Sequence, residues 1–226
     1  EPSIFKRERV KAFFTTKHVG TDPFVIARHV NFSVEKIYFP VQRHTSRVHI
    51  LRKYDPLKTA DAVVTREKNI LLGVKVADCV PVLLYDRSSD ACGAVHAGWR
   101  GTADNILTRT IELMCGRYYS KPEDLLISIG PSIRWCCYAV GQEVLQAVTQ
   151  ATGPGEYSIR TDDHLCLDLP TANWVQAIRK GVPASNIWMS NECTYCYHER
   201  FFSYRFSKRV FGNQGGFIGL SNAVYT

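Results

Sequence analysis

Long apolar runs are missing. No stretch of about 20 apolar residues occurs, so no membrane-spanning helix and no membrane insertion is expected, and no cationic-then-apolar leader opens the chain. Gly/Ser-rich tracts, Pro-rich tracts, blocks of like charge and internal repeats are absent too. Nothing therefore marks a linker, and residues 1–226 are read as a single domain. RNA-binding aromatic signatures are missing although Phe and Tyr each number 11. The net charge of +7 is dispersed, its densest groups being Lys6-Arg7-Glu8-Arg9 and Lys208-Arg209. That pattern fits a mildly basic soluble domain with an anionic small substrate better than a nucleic-acid or lipid surface.

What is present is enough for a full core: 45% of residues are apolar and 22% charged. Of the eight cysteines, Cys79, Cys92 and Cys115 lie in or beside apolar segments, and a chain this long needs no disulfide staples. Reduced thiols and an intracellular, cytoplasmic setting are the reading. Asn31-Phe32-Ser33 matches a glycosylation sequon, a match common by chance. The chain starts at Glu1 without Met, as a piece cut from a longer protein would.

Periodicity gives roughly ten strands and four helices. Strands are expected over Ala12 to Thr16, Ile37 to Gln42, Val48 to Leu51, Ala62 to Thr65, Asn69 to Val76, Val80 to Tyr85, Ala91 to His96, Leu125 to Ile129, Ile187 to Ser190, Phe201 to Phe206 and Gly216 to Leu220. Pro81 argues against a central ladder position at that point. Helices are expected after Asp22-Pro23, after Thr102 as N-cap with Gly116 as stop, over Gln142 to Gln150, and after Asp168. The uneven alternation predicts mixed α/β layers.

Four constellations could carry chemistry. His44, Cys79 and His96 are zinc's usual ligand types, and three protein ligands leave one position open for water or substrate. Cys79 with His96 as base is equally a cysteine-hydrolase pair, and spacing does not separate the two. Gly98-Trp99-Arg100-Gly101-Thr102, between a strand and a helix start, offers backbone N–H groups and a guanidinium to an anion. Cys193-Thr194-Tyr195-Cys196 lacks the second Cys-x-x-Cys of a zinc ribbon, since Cys136-Cys137 has the wrong spacing. It is read as two inert thiols.

Several motifs in order resemble the YfiH, or laccase-domain (multicopper polyphenol oxidase-like), family: Phe13-Phe14-Thr15-Thr16, Gln42-Arg43-His44, Ala77-Asp78-Cys79-Val80-Pro81, His96-Ala97-Gly98-Trp99-Arg100-Gly101, Gly130-Pro131-Ser132, Cys137-Tyr138, Cys193-Thr194 and Phe202-Ser203-Tyr204-Arg205. The resemblance implies an α/β fold of mixed β-sheets sandwiched between helices. It implies a zinc site of His44, Cys79 and His96, with substrate contacts from Gln42, Asp78, Arg100 and Arg205. It implies phosphorolysis of purine nucleosides and methylthioadenosine, and deamination of adenosine to inosine. Two segments depart from the family pattern: Lys17-His18-Val19-Gly20-Thr21 replaces a glycine-rich stretch, and Gly212-Asn213 replaces Gly-Arg. The family's copper name finds no support in the residues. Multicopper oxidases place many His ligands in His-x-His pairs, and this chain has seven His and no such pair. Copper would bind a His₂Cys set tightly, but only as an adventitious ion.

Overall fold

The computed structural model describes every residue except 7, 31, 54, 55, 161, 162, 210, 211 and 221–226. Asn31 of the sequon and Arg7 of the first basic group lie outside the described residues. In chain order the elements are β1 (Val10–Phe14), α1 (Pro23–His29), β2 (Ile37–Tyr38), β3 (Val48–Ile50), β4 (Ala62–Thr65), β5 (Leu71–Val76), β6 (Val80–Asp86), β7 (Ala91–Ala97), α2 (Trp99–Ala103) and α3 (Ile106–Tyr118). The second half holds β8 (Leu125–Ile129), β9 (Ala139–Val140), α4 (Gln142–Thr152), β10 (Ser158–Arg160), β11 (Leu165–Leu167), α5 (Leu169–Arg179), β12 (Ile187–Met189), α6 (Tyr204–Ser207) and β13 (Gln214–Leu220).

The unbroken apolar runs occupy the middle of the fold, as strands covered on both faces must. A six-stranded sheet runs β12-β8-β6-β7-β4-β3, and a four-stranded sheet runs β1-β13-β5-β2. One set of alternating side chains in the larger sheet, including Val82, Leu84, Val95 and Ile127, packs on Ile111 and Met114 of α3, Val148 of α4 and Ala172 of α5. The other set, including Val63, Leu83 and Ala94, packs on Leu72, Val74 and Ile218 of the smaller sheet. The far face of that sheet, with Leu71 and Phe217, is covered by Ile26 of α1. Two sheets thus lie between helices, as expected.

Asp22 starts α1 through its carboxylate, which accepts from the N–H groups of Phe24 and Val25, and Asp168 starts α5 by accepting from Thr171 N–H. Four expectations need correction. Pro81 does sit in a central strand, paired with His96 of β7. Its carbonyl accepts from Gly130 N–H at 2.8 Å, just past the end of β8, so the missing N–H falls at the end of the β6–β8 ladder and not within it. The helix expected after Thr102 begins earlier, with Gly98 as N-cap, and breaks at Asn105, whose φ of 60° is left-handed. Thr102 is fully buried and its hydroxyl accepts from Asn173 Nδ2 at 3.0 Å, so it is not free to cap. Gly116 lies inside α3, which runs on to Tyr118. Phe201 to Phe206 is no strand. The Ser203 hydroxyl accepts from Phe206 N–H and starts the turn of α6, overriding the aromatic β-propensity of the segment.

Candidate active site

Asp61 organises the site, and its position explains the others. It precedes β4, is fully buried, and accepts six hydrogen bonds through two oxygens. Oδ1 takes Arg43 N–H at 3.2 Å, His44 N–H at 3.0 Å and His96 Nδ1 at 2.8 Å. Oδ2 takes Arg43 N–H at 3.2 Å, Thr45 N–H at 2.7 Å and Thr45 Oγ1 at 2.8 Å. The 43–45 loop is wrapped around a carboxylate, which holds His44 at a left-handed φ of 56° that a β-carbon disfavours. These donors hold the Asp61 carboxyl well below the usual carboxylate range in spite of burial.

His96 lies near the end of β7, next to β4, so strand pairing brings it to Asp61. With Nδ1–H donated there, Nε2 is the nitrogen that carries the lone pair whenever the ring is neutral. Cys79 sits just before β6 in a bend where Asp78 has a φ of 85°. Its Sγ is 4.0 Å from His44 Nε2, and the three possible ligand atoms of His44, Cys79 and His96 lie within 4.8 Å of one another. Burial opposes charge on both Cys79 and His96, but mutual attraction wins. His96 and His44 draw the Cys79 thiol down to about 6, and the thiolate with Asp61 pushes His96 up to about 9. The donor set is right for zinc. The spacing is within about 1.5 Å of a tetrahedral edge for bonds of about 2.0 to 2.3 Å, and a carboxylate behind one imidazole is the usual support of such a ligand.

This cluster lines a cavity of about 860 Å³. Gly98 closes in on it, since a Cβ there would lie 3.0 Å from Cys79 Sγ and 3.3 Å from His44 Cδ2. We expect Gly98→Ala to displace Cys79 and to weaken metal retention about tenfold, read by chelator competition, with little change in melting temperature. All four residues expected to contact substrate line the cavity too, but two have their polar atoms occupied. Gln42 exchanges two hydrogen bonds of 2.8 Å with the backbone of Lys75, which fastens the His44 loop to β5. Asp78 accepts from Thr194 Oγ1 at 2.6 Å and Arg205 N–H at 2.7 Å. Arg205 donates to Ala139 O and stacks over Tyr138. Arg100 is exposed, stacks over Trp99 at 4.3 Å, and has no acidic partner among the described residues. Lys75, over the ring of Phe39, adds a third cation to the walls.

Sequence reasoning found the three ligand candidates and Arg100 and missed Asp61, Lys75 and the aromatic walls of Phe39, Trp99, Tyr138 and Tyr204. Asp61 carries no local signal; only the pairing of β4 with β7 reveals it.

The chain matches the family described as multi-copper polyphenol oxidoreductase laccase over residues 15–221. A Geobacillus stearothermophilus protein named purine nucleoside phosphorylase YlmD is 31% identical over 230 residues, covering 89% of this chain and 81% of that one. Its crystal structure aligns with a TM-score of 0.90 at 29% identity, over 97% of this chain and 94% of that one. An adenosine deaminase, RL5, from an unknown prokaryotic organism is 34% identical over 193 residues, 80% of this chain and 73% of its own. Human purine nucleoside phosphorylase LACC1 is 29% identical over 199 residues, 86% of this chain but 46% of the human one.

Proposed function

The chain belongs to this laccase-domain family, and from that premise we propose that it is a purine nucleoside enzyme, acting as one catalytic domain. Its substrates are adenosine, inosine, guanosine and methylthioadenosine, which it cleaves with phosphate, and adenosine, which it also deaminates to inosine. The observation that carries this reading is the His44, Cys79 and His96 cluster on the wall of a cavity rimmed by three cations and four aromatic rings. The names of relatives, phosphorylase and adenosine deaminase, support it. The family's copper description does not fit the residues. Among the described residues the metal-capable His/Cys groups are one His₂Cys set and one set of four cysteines, neither a His-rich copper cluster. Among the described residues, no helix is long and apolar enough to cross a membrane.

In this reading His44, Cys79 and His96 hold zinc, which when bound supplies a Lewis acid and acidifies water near neutral pH. Asp61 keeps His96 in the tautomer whose Nε2 faces the cavity. The faces of Trp99, Tyr138 and Phe39 offer stacking surfaces for a purine. Arg100 is the phosphate residue: its planar fork binds two oxygens, leaving a third to attack C1′ while the C1′–N9 bond breaks toward the base. The N–H groups at the start of α2 have no side-chain cap and begin at Gly98, against Cys79, so phosphate and metal would adjoin. Asn213, where the family often has Arg, lines the same cavity and is a natural determinant of substrate preference.

Product analysis with each nucleoside, with and without phosphate, tests the proposal. Absence of both phosphate-dependent base release and ammonia release would overturn it. Arg100→Ala is expected to raise the phosphate KM and weaken phosphorolysis, by about 2–3 kcal/mol where bound substrate desolvates this charge-assisted contact, and to spare deamination. Arg100→Lys should rescue only part, because an ammonium lacks the fork. Unchanged phosphate dependence would make Arg205 the next anion residue. A second reading, Cys79 as a nucleophile with His96 as base, is favoured by one observation, the drawn-down thiol beside His96.

A further inference from the structure

Cys136-Cys137 and Cys193-x-x-Cys196 have the wrong sequence spacing for a zinc ribbon, yet the fold brings all four together. Their sulfurs lie within 4.8 Å of one another. Cys196 Sγ is 3.4 Å from Cys137 Sγ and 3.7 Å from Cys136 Sγ. Four thiolates about 2.3 Å from one ion stand about 3.8 Å apart, so this spacing is that of a tetrahedral mononuclear site. An iron–sulfur cluster would hold its cysteine sulfurs farther apart.

Backbone donors converge on one of the four sulfurs: the N–H groups of Cys196, Arg134 and Tyr195 face Cys193 Sγ. The Arg134 N–H reaches it at 3.4 Å. Two of those donors come from within the Cys-x-x-Cys turn, and the third comes from the turn that carries Cys136 and Cys137. That second turn is closed by the N–H groups of Cys137 and Tyr138 on Arg134 O. Two exposed cysteines, one partly buried and one buried give a closed set of four ligands at the surface, with access for an ion.

We propose that Cys136, Cys137, Cys193 and Cys196 form a second metal site, a structural four-thiolate zinc site separate from the cavity. Its effect would be to clamp two loops onto the catalytic bend. Ile133 N–H donates to Asp78 O at 3.0 Å, and Thr194 Oγ1 donates to Asp78 Oδ1 at 2.6 Å. The loops also pair directly, through the bridge between Ser132 and Cys193. An ion tying Cys136 and Cys137 to Cys193 and Cys196 therefore fixes two of the groups that hold Asp78, whose neighbour is Cys79.

The test is metal counting by elemental analysis on full-length protein produced with zinc. Two zinc per chain are expected in the unsubstituted protein. One is expected in Cys79→Ala, where the four thiolates remain, and one in Cys136→Ser/Cys196→Ser, where His44, Cys79 and His96 remain. The two variants separate failure of this site from failure of the catalytic one. If the double variant does not fold, the unsubstituted protein still decides. Its cobalt(II) form should show sulfur-to-cobalt charge transfer of the strength of five thiolates in all, against one if only the His₂Cys set binds. A single zinc per chain, with the four thiols alkylating at once in native protein, would overturn the proposal. So would a disulfide joining Cys196 to Cys136 or Cys137 in protein digested without reductant.

Discussion

Replacing Cys79 by Ala is expected to cost one zinc per chain and at least about 10³ in turnover, or about 4 kcal/mol of transition-state stabilisation. In the proposed site Cys79 is the one anionic ligand of the set, 4.0 Å from His44 Nε2. Two imidazoles alone hold zinc poorly, and without the thiolate His96 loses one of the two charges that push its pKa up to about 9. The fold should survive, because Cys79 lies at the cavity edge and outside the buried clusters. Loss of activity alone would not separate a ligand from a nucleophile. Two measurements do. A metal-bound thiolate resists alkylation until chelator is added, whereas a free nucleophile with a pKa of about 6 reacts at once. Mass spectrometry of enzyme quenched during turnover is expected to find Cys79 unmodified. A nucleoside-derived adduct on Cys79 would overturn the ligand role in favour of the hydrolase reading.

How much of this was legible beforehand depends on the distance over which each determinant acts. Helix starts at Asp22 and Asp168 are local, since a carboxylate meets N–H groups two or three residues on, and both were read correctly. Buried strands such as Ala62–Thr65 and Leu125–Ile129 declare themselves by composition. The break at Asn105 did not, and the turn before it is held by Asn173 Nδ2 on Thr102, a contact 71 residues away. The strands of the small sheet β10-β11-β9 were missed because they are two or three residues long, too short for any period to show. The ligand candidates were legible through their residue types and surrounding motifs. That the four cysteines come together was missed for a plain geometric reason. Ligand spacing rules assume two hairpin-like knuckles, and here one knuckle is replaced by a tight turn presenting adjacent cysteines.

Asp61→Asn is expected to weaken zinc binding 10- to 100-fold, as the loss of a carboxylate behind a ligating imidazole does, and to destabilise the fold by about 2–4 kcal/mol. Every group around Asp61 is a donor. An amide in its place must turn an NH₂ toward either Thr45 N–H and hydroxyl or the pair of His44 N–H and His96 Nδ1. The first choice leaves Thr45 N–H buried without an acceptor. The second makes His96 Nδ1 an acceptor, moves its proton to Nε2, and removes the lone pair that a metal needs. Either way the loop that strains His44 into a left-handed φ of 56° loses its anchor. The pH dependence adds a signature. The carboxyl is held well below its ordinary value in the folded state, so its stabilisation is complete above the unfolded pKa of about 4 and disappears only as pH falls through the depressed value. Unfolding free energies of the two metal-free proteins should therefore differ most from about pH 5 to 6, converge in stronger acid, and draw together in part as pH rises toward about 9, where the His96 imidazolium that Asp61 supports is lost. Chelator competition supplies the second readout. If Asp61→Asn lowered stability but kept zinc affinity, Asp61 would only staple the loop, and the orientation of His96 would have to come from its place at the end of β7.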